Sequence, residues 1–518
     1  MSVDLGQSPE RFSIIDDLKL AISSKPVIAI LALSTLCRLF FHFFALPSSP
    51  SVFGPDEGTY AALAKYASQG RPMEEFPLYG PGLYNSARTI TLPSALLVLL
   101  GMDELSAIRA VSSFFGLAST LAMVLCFIAY LRLRGKTFDV LSQVSDRRFF
   151  PLLSIFTFFP SNFVWSTIGL RESGSQFWLI TTFYLILKLL KSSRKDSWKL
   201  TAFCSLALTL AYGTRPETAL VFSGVALLIS IILLFKLRNF LPLIAISLGI
   251  FAGQAFTTTP KVLAETSLSA FQIVKNELNE SAAPKPMESN QSAAPKPMES
   301  NQSAAPKPME TLEAKRNNFL STKCTQDNQV IQYEGKKFLC KSSNSYQVVE
   351  RNPAETLQNK ILSTQILGYK RNVNALNAQT ALPESDCQSL SRDAFLLIKC
   401  NISELPYRLF AFLFRPLIFF DQGSMTLFYA ALENLGWMIL IPLSFLAALR
   451  KREYSLDQFI QLSLAVYVIL FASAAALVEG NLGTAFRHKS TILWPLIFIL
   501  IIEPVILQKS RKNISSTS

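Results

Sequence analysis

PVIAILALSTLCRLFFHFFAL, Pro26–Leu46, followed shortly by Pro55-Asp56-Glu57-Gly58-Thr59-Tyr60, decides how the rest of the chain reads. An apolar run of about 20 residues is what a helix needs to cross ~30 Å of hydrocarbon. This one is followed by two adjacent carboxylates, so the first crossing delivers a pair of acids to one membrane face. Each later apolar stretch can be asked which face receives its own polar residues, and the answer is repeatedly the face of Asp56.

The chain has 518 residues, 50% of them hydrophobic, including 40 Phe. These apolar residues come in blocks of about 20, not at the 3.6- or 2-residue period of soluble cores. The fold class expected is therefore an all-α polytopic membrane protein. The net charge of +13 sits in short segments between the blocks. They are Arg132, Arg134, Lys136, Arg147 and Arg148; Lys188, Lys191, Arg194, Lys195 and Lys199; Lys236 and Arg238; Arg450, Lys451 and Arg452; and Lys509, Arg511 and Lys512. That is the positive-inside pattern, a topology signal rather than a polyanion-binding surface, and no nucleic-acid partner is expected. The polar, acidic N-terminus and the missing small-residue site after the first span argue against a cleaved signal peptide.

With the basic clusters cytoplasmic, about ten spans follow: Pro26–Leu46, Ala107–Leu131, Phe149–Ile168, Gly174–Leu190, Leu200–Gly213, Thr218–Phe235, Phe240–Phe256, Thr426–Leu449, Leu456–Leu477 and Thr491–Leu507. Both termini fall in the cytoplasm. Tyr84–Gly101 reads as a re-entrant or juxtamembrane helix, because counting it as a crossing inverts every later cluster. Glu404–Phe420 reads as an interfacial helix whose Arg408 and Arg415 snorkel. Three regions result: a transmembrane catalytic module over 1–256 with its first outer loop at 47–106, an extracytoplasmic insert over 257–403, and a C-terminal transmembrane module over 404–518. The insert carries an 11-residue repeat, SAAPKPMESNQ, within 281–313. Its Pro, Ser and Lys content cannot bury a core, so disorder is expected there.

Cys37, Cys126 and Cys204 lie singly within spans and read as packing residues. Cys324, Cys340, Cys387 and Cys400 all fall in the insert, where an oxidising compartment permits two disulfides in one of three pairings. A four-Cys zinc site is the alternative, against which the long, irregular spacings speak.

The candidate chemistry gathers on the outer side. Asp56 and Glu57 follow the first span. Arg171-Glu172 sits at the hairpin between the third and fourth spans, and Arg215-Pro216-Glu217 at the turn between the fifth and sixth. Ionisable groups at such depth are expensive and usually line a cavity or meet a substrate. Arg487-His488-Lys489 is the one basic cluster placed outside against the charge rule, and Arg and Lys bind phosphate well. Arg38 and His42, four apart on one face of the first span, either snorkel or point into the same cavity. Solvated turns, hairpin caps and lipid-headgroup anchoring are the plainer readings of each. Together the residues suit a reaction on a lipid-linked phosphate: a carboxylate activates a hydroxyl, which attacks a sugar carbon, while cations take the phosphate's charge.

The chain resembles the membrane-embedded glycosyltransferases of the GT-C superfamily, closest to glycosyltransferase family 39 and the bacterial dolichyl-phosphate-mannose-protein mannosyltransferase-like group. The stretches that carry the resemblance are, in order, Cys37-Arg38-Leu39, Pro55 to Ala61, Leu92 to Leu97 with Gly101, Ala107 to Val111, Thr214-Arg215-Pro216 and Gly483 to Lys489. The resemblance implies a polyprenyl-phosphate-linked sugar donor, inversion at the sugar carbon and an acid of the first outer loop as base. Here that is Asp56, with Glu57 beside it and Glu172 as a further catalytic candidate. Arg38, Arg171, Arg215, Arg487, His488 and Lys489 become the expected donor-phosphate ligands. The acceptor is a glycan, lipid or protein hydroxyl, and the setting a bacterial plasma membrane with the site extracytoplasmic. Some relatives need a divalent metal and others do not; no metal constellation appears beyond Asp56, Glu57 and Glu172, so none is assigned. A polysaccharide polymerase, ligase or flippase, or a secondary transporter, are the alternative functions.

Overall fold

The computed structural model describes residues 13–46, 55–71, 85–134, 149–190, 194–237, 239–258, 330–333, 336–342, 345–348, 394–417, 425–450, 456–478 and 482–502. The chain divides into a unit of residues 1–278, 364–386 and 400–518, and a second unit of 279–363 and 387–399.

The first unit is helical. Its helices are α1 (Ile14–Ser23), α2 (Lys25–Phe40), α3 (Pro55–Ser68), α4 (Arg88–Leu99), α5 (Glu104–Leu133), α6 (Phe149–Phe158), α7 (Pro160–Thr167) and α8 (Glu172–Leu189). They continue as α9 (Arg194–Tyr212), α10 (Pro216–Leu237), α11 (Leu241–Thr258), α12 (Ala394–Phe414, of which residues 394–399 belong to the second unit), α13 (Met425–Leu449), α14 (Leu456–Val478) and α15 (Leu482–Ile502). Among the described residues five helices are long and apolar enough to cross a membrane: Lys25–Ala45, Glu104–Leu133, Phe428–Leu449, Leu456–Leu477 and Ala485–Ile502. The pair α6–α7, bent by 49°, makes a sixth.

α2 has one buried face and one exposed apolar face. Val27, Ile30, Ser34 and Arg38 are buried along one face at helical spacing, while Leu33, Leu36, Leu39 and Phe40 are exposed on the other. A row of large apolar side chains facing outward from a helix is at home against hydrocarbon rather than water. Small residues let other helices close up. On α11, a Cβ added at Gly253 would stand 2.5 Å from the Tyr212 ring, and one at Gly249 2.8 Å from Leu208, so α9 and α11 meet backbone to side chain.

Two breaks matter for the site. Pro160 has no N–H to continue α6, so the span restarts as α7. The freed N–H of Ser161 instead donates to Glu433 of α13 at 2.7 Å. The second break lies after α2, where Phe41–Ala45 forms a π-helical turn. That turn shifts the register between Arg38 and His42, so their four-residue spacing does not put them on one α-helical face.

Three expectations change. The tenth expected span opens at Leu482 rather than Thr491, so Arg487-His488-Lys489 is helical, not a loop ahead of the helix. Asp56 and Glu57 likewise lie in the first turn of α3 rather than in an extended loop. The second unit contains an antiparallel three-stranded sheet, β1 (Val330–Tyr333), β2 (Lys336–Ser342) and β3 (Ser345–Val348), in that order, so the all-α description holds for the helical unit only. Cys340 lies in β2 and Cys400 is disulfide-bonded. Cys324, Cys387 and the repeat at 281–313 fall outside the described residues.

Candidate functional site

Four helix starts converge. Asp56 and Glu57 stand in the first turn of α3, Glu172 opens α8, Glu217 follows Pro216 at the start of α10, and Arg487 lies in the first turns of α15. Acids favour helix N-termini, where unpaired N–H groups and the helix dipole offer positive potential. α4 steadies the turn before α10: Thr89 N–H donates to Gly213 O at 3.2 Å, and the Thr89 hydroxyl contacts that of Thr214. Arg88 reaches across to Phe256 O at 2.6 Å. This fixes the backbone that carries Arg215.

The charged groups form one chain. Arg487 pairs with Asp56 through one nitrogen, and its Nε stands 2.9 Å from Glu172 Oε1. Arg215 donates to the same Glu172 oxygen at 3.0 Å and to Glu217 Oε1 at 3.0 Å. Arg171 pairs with Glu217 at 3.5 Å and donates to the Ser86 hydroxyl at 3.1 Å. His488 lies against Arg215; the guanidinium has only donors, so the imidazole Nε2 accepts. Glu172 and Arg215 are 3% and 2% exposed, whereas Asp56 is 53% exposed and Glu217 57%. The buried middle is thus flanked by two accessible carboxylates.

Three arginines face three acids, so the cluster is close to neutral. Burial pushes the Glu172 carboxyl up, but Arg487, Arg215 and Arg171 together hold it below the ordinary carboxylate range. Glu217 is drawn down in the same way, to about 2, because Arg171 and Arg215 outweigh its desolvation. Tyr60, one turn after Asp56 on α3, is buried within the electrostatic reach of Arg171, Glu172 and Arg487.

Of the expected residues, Asp56, Glu172, Arg171, Arg215, Arg487 and His488 come together. Glu57, Arg38 and Lys489 do not. Glu57 is fully buried and takes both a 2.6 Å and a 3.1 Å hydrogen bond from Arg109 of α5, plus the N–H of Gly169 at 3.3 Å. A carboxylate so engaged is a structural anchor. Arg38 points into the bundle, against Ser34, Ser166 at 2.8 Å and the Phe163 ring. Lys489 turns away from Arg487 and, fully buried, donates to Asn434 Oδ1 at 2.6 Å and to the carbonyls of Arg415 and Leu413. It fastens the end of α12 to α13 and α15.

Sequence reasoning missed Arg109 as the partner of Glu57 and Tyr60 as a neighbour of the cluster. It singled out Glu217 with Arg215 but gave it no role, although an acid directly after an Arg-Pro pair at a helix start has both a dipole and a cation at hand.

Asp17 of α1 is fully buried and meets Lys188 at 2.8 Å, Arg132 at 3.0 Å and the Tyr184 hydroxyl at 2.7 Å. Arg134 pairs with Asp457 at 3.0 Å. These bonds tie the far ends of α5 and α8 to α1, and the end of α5 to α14, opposite the cluster.

Among the described residues no three His, Cys, Asp or Glu side chains are grouped to hold a metal ion. Asp56, Glu57 and Glu172 are each engaged by arginine, and an arginine-filled acid set does not suit a divalent cation. No family model matches the chain, and no curated protein matches it at a significant level.

Proposed function

We propose that the chain is a membrane glycosyltransferase of GT-C-like architecture with about ten spans. It transfers a sugar from a polyprenyl-phosphate donor to an acceptor hydroxyl on the extracytoplasmic side of a bacterial plasma membrane. The observation that supports this best is the pairing of Asp56 with Arg487 beside Glu172 and Arg215: an accessible acid and buried arginines from distant segments at one end of the bundle. The basic residues Arg132, Arg134 and Lys188 lie at the opposite end, which by the positive-inside rule is the cytoplasmic one.

The neutrality of the cluster shapes the chemistry. A phosphate that takes the Arg487 nitrogen held by Asp56 displaces that carboxylate, the exposed one of the two that Arg487 meets. Arrival of the donor phosphate therefore releases Asp56 as a base for the acceptor. Asp56 takes the acceptor's proton, the acceptor oxygen attacks the anomeric carbon from the opposite face, and the carbon–phosphate-oxygen bond breaks with its electron pair going to phosphate. Arg487, Arg215 and Arg171 stabilise the charge that develops on the leaving oxygen.

The test is transfer from polyprenyl-phosphate-linked radiolabelled sugars by the purified full chain in liposomes. Asp56→Asn should abolish transfer, and Arg487→Gln should lower it at least a hundredfold. Retained transfer in Asp56→Asn, or solute flux in place of transfer by the native chain, overturns the reading.

A further inference from the structure

α1 presents three kinds of side chain in three sectors. At about 100° per residue, Asp17 and Ala21, with the partly buried Ile14 and Leu20 at the margins, form the sector turned to the bundle. Asp16, Lys19 and Ser23 form an exposed polar sector about 60° wide. Ile15, Leu18 and Ile22 form an exposed apolar sector of the same width, between the other two. A helix held against a protein and otherwise in water has no use for the apolar sector. A spanning helix has no use for the polar one.

The place of α1 in the fold says what faces the apolar sector. Ser24, in extended conformation, ends α1 before α2 begins at Lys25, so the two are separate helices. Asp17 pins α1 to Lys188 and Arg132, in the last turns of α8 and α5. Through these bonds α1 meets both helices at their ends. Other residues mark the same end. α9 begins there, and its Trp198 is exposed, with the Lys199 ammonium 5.8 Å from the ring centre. Asn239, just ahead of α11, donates to Leu189 O at 3.0 Å, and the adjacent Phe240 is exposed. An exposed tryptophan beside a lysine at the end of an apolar bundle suits the boundary between hydrocarbon and water. The apolar exposure also continues past Ile22 into α2, where Ile28, Leu36 and Leu39 face outward.

We propose that α1 is an interfacial anchor, lying in the headgroup region of the leaflet at the end that carries Arg132, Arg134 and Lys188. Ile15, Leu18 and Ile22 enter the upper acyl carbons, while Asp16, Lys19 and Ser23 stay in water. Phospholipid of that leaflet is the partner of the apolar sector. Lys19 and Lys25, both exposed, extend their stems toward the lipid phosphates. The spans already hold the chain in the bilayer, so the effect of α1 is positional: lipid grips one sector and the buried Asp17 another, fixing the helix from two sides. The inference needs only that the helical unit spans a bilayer, and it stands or falls separately from the transferase reading.

The test is a spin-label scan of the full chain in vesicles of phosphatidylethanolamine and phosphatidylglycerol. Ile15→Cys, Asp16→Cys, Leu18→Cys, Lys19→Cys, Ile22→Cys and Ser23→Cys are labelled one at a time, and the native chain treated alike supplies the background of its own cysteines. All six side chains are exposed, so the substitutions leave the packed interior untouched. Collision with oxygen, which concentrates in lipid, should exceed collision with a water-soluble nickel chelate severalfold at positions 15, 18 and 22. The order should reverse at positions 16, 19 and 23. High nickel accessibility at all six positions overturns the proposal, because α1 then lies in water. Shielding of positions 15, 18 and 22 from both reagents overturns it in favour of a protein partner, and dipolar broadening between labels then identifies a second copy. The lipid pattern in a chain with no glycosyl transfer keeps the anchor and removes the transferase reading. Transfer by a chain whose six positions all meet nickel does the reverse.

Discussion

Glu57→Gln and Asp56→Asn alter neighbouring acids and should have opposite consequences. Glu57 has no exposed surface, and its partner Arg109 is 3% exposed. Removing the charge leaves a buried guanidinium uncompensated, which costs about 3–5 kcal/mol. In a thermal scan at fixed rate in detergent, that corresponds to a fall on the order of 5–10 °C. Asp56 is half exposed, and Arg487 keeps Glu172 when it goes, so Asp56→Asn should change stability by no more than about 1 kcal/mol. Transfer follows the other order: lost in Asp56→Asn, retained by whatever fraction of Glu57→Gln stays folded. The double variant Glu57→Met, Arg109→Met removes both charges and should recover most of the lost stability, because desolvation of the pair disappears along with its attraction. Should Asp56→Asn destabilise as much as Glu57→Gln, or the double variant be worse than the single, the assignment of one acid to structure and the other to chemistry is wrong.

Gly253→Leu should prevent stable folding, seen as aggregation on size-exclusion chromatography, because even its Cβ would stand 2.5 Å from the Tyr212 ring. Lys489→Met should cost about 1–3 kcal/mol of thermal stability, since the carbonyls of Leu413 and Arg415 and the amide oxygen of Asn434 lose their donor in a buried place. It should not weaken phosphate binding. Glu172 and Glu217 have carboxyls held below their ordinary value of 4.5, so the unfolded chain binds protons first as pH falls. Their contribution is complete above about pH 4.5 and declines as pH falls, that of Glu217 down to about pH 2; stability scans of Glu217→Gln should show a shallower acid loss than the native chain between pH 4.5 and 2, by a small margin given that group's exposure.

Much of the helical unit was legible because a bilayer-length apolar run is a one-dimensional signal. α5 and α14 fall within a few residues of where hydropathy puts them. The site was legible where a charged residue had no reason to be apolar-flanked, as with Arg171-Glu172 and Arg215. The misassigned residues share a physical cause. In one dimension Asp56 and Glu57, and Arg487 and Lys489, look like loop neighbours that act together. Both pairs are helical, and positions one apart diverge by about 100° and positions two apart by about 160°. Asp56 therefore reaches the cluster while Glu57 meets α5, and Arg487 faces Glu172 while Lys489 faces α13. Arg38 and His42 failed for the converse reason: spacing that aligns residues on an α-helix does not survive a π-helical turn. The partner of Glu57 was hidden because nothing local links positions 52 residues apart.

The order of synthesis bears on the charged cluster. Glu172 and Arg215 are separated by 43 residues, so that contact can close as soon as α8, α9 and α10 have left the ribosome. Asp56 waits for Arg487, 431 residues later, a delay of roughly 20–90 s at ordinary translation speeds. Through that interval the Asp56–Arg487 pair cannot form, so the charged cluster is completed only once α15 has been made.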